Sequence, residues 1–341
     1  MRQIRLTKCK AGDILSEDIY SSNGNILVAR STVMNDYIKS KLTDYGIYEV
    51  QICDSEDTTL QFFDFDSNYK EYIVLVKELL RGVAAGQFVE IEKVAFYIFD
   101  LMFNHLEQSD FITQGLHRIQ NNDNYTYTHS INTAFYSMLI GNWLHLPEKD
   151  LCNLVCASLI HDIGKTKVPL DILNKHGKLE ADEYQIMKQH TILGYEIVKD
   201  IPYFHLDIKN AILLHHERID GSGYPYGLKG DAISLFARII SIADVYDAMT
   251  QNRIYKKKVS PFESFRMFLT EGNSQFDGSI LYEFLSHLAP LYIGSNVELS
   301  NGEVGEIVYI PPQDITYPIL SINSEYVDLS RESNIKILHV V

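Results

Sequence analysis

The chain has 341 residues, 46% hydrophobic and 22% charged, a balance that excludes a disordered chain and a length that suits one catalytic unit with smaller attachments. A formal net charge of −15 disfavours broad binding to DNA, RNA or an anionic membrane surface, so an anionic substrate needs local cations to enter. The four cysteines (Cys9, Cys53, Cys152, Cys156) form no C-x-x-C pair, the start is too polar for a secretory leader, and no apolar run is long enough to span a bilayer, which together predict a cytoplasmic protein with reduced thiols.

Taken in chain order, residues 1–66 read as a β-rich segment and linker. Asn23-Gly24-Asn25 separates two strand-like runs, Asp18 to Ser21 and Ile26 to Ala29, as a hairpin turn does. Met34 to Tyr45 has helical spacing closed by Gly46, and the acidic, aperiodic stretch Asp54 to Asn68 reads as the linker. Residues 67–290 are helical almost throughout, with apolar stripes such as Ile73, Val76, Leu79, Leu80 and Val94, Ile98, Leu101, Met102. The aromatic helices between Tyr69 and Phe111 are read first as completing the core and otherwise as a homodimer interface. In residues 291–341 the texture returns to strands: the turn Ser300-Asn301-Gly302-Glu303 divides Val297 to Leu299 from Val304 to Ile310, and further runs follow at Ile315 to Ile322 and Ile335 to Val341. The expected fold is mainly α, with small β-rich N-terminal and C-terminal appendages.

Histidines and aspartates concentrate in the helical middle: His129, His161-Asp162, His190, His215-His216 and Asp244. Imidazole and carboxylate ligands in this mixture suit Fe, Mn or Zn. Taken singly each has an ordinary explanation, His129 as a hydrogen-bonded core residue and His215-His216 as a helix-end feature. Asp244 is harder to explain, because an apolar helix is a costly place for an unpaired carboxylate. The series is more telling than any member.

These residues carry a resemblance. His129, His161-Asp162 and Asp244 resemble the H…HD…D signature of HD-superfamily phosphohydrolases. His161 to Lys165 (HDIGK), Met187 to His190 (MKQH), His215 to Gly230 with Gly223-Tyr224-Pro225, and Ala237 to Lys257 resemble the HD-GYP subfamily, over a core of about residues 121–290. The resemblance implies an all-helical HD-type metallohydrolase that cuts cyclic di-GMP. One metal would sit on His129, His161, Asp162 and Asp244. A second would share Asp162 and take His190, His215 and His216. Family members with a third metal carry a Glu one turn before the first His; here Tyr125 stands there, which argues for two divalent ions, Fe or Mn, with Asp123 an alternative donor at a different spacing.

The chemistry expected of such a pair is hydrolysis to linear pGpG and onward to GMP by a metal-activated hydroxide, with Asp162 bridging and Lys165 stabilising phosphoryl charge. The densest basic run, Arg253 to Lys258, is the candidate entry for an anion: by the resemblance, Arg253 and Lys256 contact phosphates or guanines, and Tyr224 shapes the site. Glu217 and Asp220 are expected behind the ligands, and Asp247, one turn after Asp244, is read as a supporting residue or a cap. Two alternatives stand beside this: hydrolysis of another nucleotide, such as a mixed cyclic GMP-AMP, and a receptor that binds cyclic di-GMP without turnover.

Overall fold

In the computed structural model the described residues are 2–22, 26–28, 30, 32–53, 65–86, 91–103, 125–175, 177–251, 259–332 and 334–341. The expected hairpin turn at Asn23-Gly24-Asn25, the donor Asp123 and the basic residues Arg253 and Lys256 lie outside them. The chain divides into two compact units, one of Met1–Phe63, Val259–Met267 and Leu285–Val341, the other of Asp64–Lys258 and Phe268–Phe284.

The first unit joins both ends of the sequence. Strands β1 (Arg2–Arg5) and β4 (Glu49–Ile52) pair antiparallel, as do β2 (Ile19–Tyr20) and β3 (Ile26–Val28). Helix α1 (Asp36–Asp44) starts where the Asn35 side chain accepts from the Ile38 amide at 2.9 Å, satisfying one of the amides a helix start leaves open. It stops at Gly46, whose φ of +75° suits a residue without Cβ. Strands β5 (Asn296–Leu299), β6 (Val304–Tyr309), β7 (Ile319–Ile322), β8 (Glu325–Asp328) and β9 (Ile337–Val340) form one sheet in the order β8-β7-β6-β5-β9. The two ends are stitched together: the Asn35 amide donates to Val308 O at 2.8 Å, and the Tyr309 hydroxyl to Leu27 O at 2.9 Å.

The second unit is helical, which agrees with the expected fold class. It contains α2 (Phe65–Ala84), α3 (Ile91–Phe103), α4 (Tyr125–Trp143), α5 (Glu148–Ile160), the single turn α6 (Leu170–Leu173), α7 (Ala181–Lys188), α8 (His190–Val198), α9 (Leu206–Leu214) and α10 (Leu235–Thr250). Helix α11 (Pro261–Thr270) is divided between the units, and most of α12 (Gly278–Leu288) belongs to the second. Helix α4 carries no Asp, Glu, Lys or Arg and is buried along Thr128 to Gly141, because α5 and α10 pack against it. Tyr136 of α4 meets Tyr246 of α10 edge to face, ring centroids 5.0 Å apart. Such a central helix can hold polar residues only where they find partners, and that condition defines the site.

Candidate metal centre

Each expected ligand sits at a helix end or on a buried helix face. His161 caps the C-terminus of α5, and Asp162 precedes the 3-10 turn Ile163–Lys167. His190 opens α8, His215 closes α9 with His216 next to it, His129 lies on α4 and Asp244 on α10. The 3-10 turn presses against α8 so tightly that a Cβ on Gly164 would fall 1.8 Å from the His190 carbonyl oxygen. Glycine is what lets Asp162 and His190 approach. Gly223 is similarly forced: a Cβ there would lie 2.4 Å from the Arg218 amide nitrogen.

The seven side chains converge as two groups of donor atoms: Asp162, His190, His215 and His216 in one, and His129, His161 and Asp244 in the other, the atoms of each within 4.8 Å of one another. Asp162 also reaches the second group, its Oδ2 3.4 Å from His161 Nε2 and 3.8 Å from His129 Nε2.

Three rings share one device. Nδ1 of His161, His190 and His215 lies 2.7, 2.8 and 2.9 Å from the carbonyl oxygens of Ser158, Met187 and Ile212. A carbonyl only accepts, so in each neutral ring Nδ1 carries the hydrogen and Nε2 presents a lone pair. Those lone pairs point at other lone pairs: His190 Nε2 is 3.3 Å from Asp162 Oδ1 and 3.4 Å from His215 Nε2. His161 Nε2 and Asp162 Oδ1 are buried without a hydrogen-bond partner. Acceptors facing acceptors in a buried site repel unless a cation lies between them. The donor set therefore fits divalent metal ions.

Titration behaviour of His190, His215 and His216 agrees with that arrangement. Burial holds the His190 imidazole below its ordinary value, and burial with the neighbouring imidazoles holds His215 well below it. Burial brings His216 down to about 3, so these rings stay neutral and keep their lone pairs. Burial opposes charge on Asp162 as well, yet Lys165, whose Nζ lies 2.5 Å from Oδ2, and then His161 outweigh it and keep the carboxylate ionised. His129 is different. Burial works against its proton, but Asp244 at 3.1 Å from Nε2 and Asp247 at 2.7 Å from Nδ1 bring it up to about 9.

Behind His129 runs a chain of hydrogen bonds that spacing alone does not reveal. Asp247, fully buried, accepts from the Asn132 amide at 2.7 Å, and Asn132 Oδ1 accepts from the Tyr69 hydroxyl at 2.7 Å. Glu217 holds the loop after His216 by accepting the backbone amides of Tyr226, Gly227 and Leu228 at 2.7, 3.1 and 2.9 Å. Asp220 instead caps the exposed Ser222 amide at 2.8 Å. Tyr224 lies beside His216, ring centroids 4.7 Å apart. Tyr125 opens α4, one turn before His129.

Comparison with known proteins agrees with this geometry. The family model described as HD domain matches residues 114–280. A cyclic di-GMP phosphodiesterase of Pseudomonas aeruginosa is 33% identical over 233 residues, covering 68% of this chain and 56% of that protein. A 3′3′-cGAMP-specific phosphodiesterase of Vibrio cholerae is 40% identical over 132 residues, 39% of this chain and 28% of that protein. The chain thus spans little more than half the length of the first relative and under a third of the second. A solved structure, an HDG"Y"P protein from Bdellovibrio bacteriovorus, shares the fold at TM-score 0.54 and 15% identity, covering 83% of this chain and 97% of that one.

Proposed function

Because residues 114–280 of this chain are an HD domain, we propose that the chain is a metal-dependent phosphodiesterase that opens cyclic di-GMP to linear pGpG and onward to GMP. The observation that carries this reading is the set of buried lone pairs converging on Asp162, a cradle that fits cations and little else. The relatives, phosphodiesterases of cyclic di-GMP and of 3′3′-cGAMP, point to the substrate class.

Two ions, Fe or Mn, would be held by His129, His161, Asp162 and Asp244, and by Asp162, His190, His215 and His216; Tyr125, in place of a carboxylate at the head of α4, argues against a third. Such ions, when bound, supply Lewis-acid charge to the phosphoryl oxygens and lower the pKa of a water. The rest is work for the chain's own residues. Asp162 would be shared by the two ions, and it is buried between the two donor groups. Lys165, anchored on Asp162, sets a fixed positive charge where phosphoryl charge grows. Asp247 keeps the hydrogen on His129 Nδ1, so that Nε2 faces the ligand group. Tyr224, stacked near His216, forms a wall for the substrate. Arg253 and Lys256 would contact phosphate or guanine.

Among the described residues no helix is long and apolar enough to cross a membrane, and the four cysteines are free thiols, which supports a reaction in the cytoplasm. The test is turnover. Purified protein loaded with manganese or ferrous iron should convert cyclic di-GMP to pGpG, and Lys165→Ala should slow this roughly 100-fold or more while keeping its metal. Tight binding with no linear product would make the chain a receptor. Preferential cleavage of the mixed cyclic GMP-AMP would move the substrate to that dinucleotide.

A further inference from the structure

Two cations beside the metal centre have no carboxylate within 4 Å among the described residues. Lys188, the last residue of α7, places its ammonium 5.3 Å from the ring centroid of Tyr184 and 5.7 Å from that of Tyr224. Arg218, half-buried, lays its guanidinium 4.9 Å over the Phe276 ring and spends one nitrogen on the carbonyls of Glu217 and His215, at 3.1 and 3.4 Å. Arg218 is within electrostatic reach of Asp244, Tyr224, Tyr184 and Asp220, without a close ion pair to either carboxylate. Carbonyls and aromatic faces attract a cation without neutralising it. In a chain of net charge −15, carboxylates to pair with are plentiful, so two cations with none within 4 Å at this place stand out.

A cyclic dinucleotide presents two phosphodiesters and two bases, of which the metal centre engages one phosphodiester. We propose that Tyr184, Lys188, Arg218 and Tyr224 form a second subsite, which takes the uncut half of the cyclic dinucleotide: Lys188 and Arg218 its phosphate, and the Tyr184 and Tyr224 rings its purine. Tyr184 is 48% exposed, so a base can reach its face, and base–aromatic stacking is tolerant of which purine stacks. The subsite gives the specificity that metals alone lack, since they recognise any phosphodiester. It rests on the cyclic-dinucleotide reading above.

The experiment uses the metal-loaded full chain and two probes. Binding of a hydrolysis-resistant bis-phosphorothioate analogue of cyclic di-GMP is measured by calorimetry, and turnover of bis(p-nitrophenyl) phosphate, which has neither second phosphate nor purine, is measured alongside. Lys188→Ala and Tyr184→Ala, both substitutions toward the surface, should each weaken the analogue about tenfold. Their loss on the small diester should be several-fold smaller, with metal content kept and Lys188→Arg restoring most of the affinity. Arg218→Gln should behave like Lys188→Ala, and its unfolding curve separates a fold defect from a binding defect. Unchanged affinity in the Lys188 and Tyr184 variants, or equal losses on both probes, overturns the proposal. A wild-type protein that binds the analogue but leaves cyclic di-GMP uncut sinks the enzymatic reading and leaves the subsite standing. One that binds no analogue sinks both.

Discussion

Behind His129, His161, His190 and His215 sit acceptors that decide which ring nitrogen faces inward: a carboxylate in the first case and the carbonyl three residues earlier in the others. The backbone acceptors come with the helix ends and cannot be mutated away. The carboxylate can. Asp247→Ala frees His129 to turn and leaves Asn132 without its acceptor, so metal affinity or turnover should fall about 10–100-fold, measured by metal titration and steady-state rates. Wild-type metal affinity and rate in that variant would remove Asp247 from the account. The residues that converge stand out in the sequence, because their types and order form a recognisable series. The line from Asp247 through Asn132 to Tyr69 does not, since it crosses three helices and no spacing records a contact between distant segments. Lys188 and Arg218 were missed for a related reason: the basic run at Arg253 to Lys258 dominates the charge pattern, whereas two isolated cations gain meaning only from their surroundings.

At the scale of elements, the centre depends on short joints more than on long helices. The 3-10 turn after Asp162 and the first turn of α8 approach so closely that Gly164 has no room for a side chain. Gly164→Ala must separate them, moving His190 from Asp162. Stability should fall by about 1–3 kcal/mol as in other overpacked interiors, and added metal should stabilise the variant less than the wild type. Urea unfolding with and without manganese measures both, and identical curves for variant and wild type would show that the joint does not set the ligand geometry. Helix types and the apolar stripes were readable from periodicity, but several elements were not. Helix α2 begins at Phe65, inside the stretch read as linker, because an acidic composition hid its start. Strand β8 carries no turn signal in the sequence, because its hairpin turns at Asn323-Ser324, both with positive φ, without the glycine that usually marks such a turn. Strands β1 and β4 pair across α1 and the β2–β3 pair, a register set by tertiary packing.

For the molecule as a whole, the sequence reading divides the chain into consecutive segments, while the structure gathers its two ends into one unit through bonds such as Asn35 to Val308. Hydrophobic pattern says that each end has strands; it carries no sign that they share a sheet-and-helix core. The helical unit is more self-contained, and its expected ligands come from α4, α5 and the turn after it, α8, the end of α9 and α10. Each donor group therefore draws on three segments, the end of α5, α8 and the end of α9 for one, and α4, the end of α5 and α10 for the other. What the account depends on is that the lone pairs around Asp162 exist to hold ions. Elemental analysis of anaerobically purified, manganese- or iron-loaded protein measures this directly. The prediction is two ions per chain in the wild type, matching the two ligand groups, with one lost in His129→Ala, one lost in His216→Ala and both weakened in Asp162→Ala. A wild-type chain without stoichiometric metal, or an Asp162→Ala chain that keeps both ions, would contradict it.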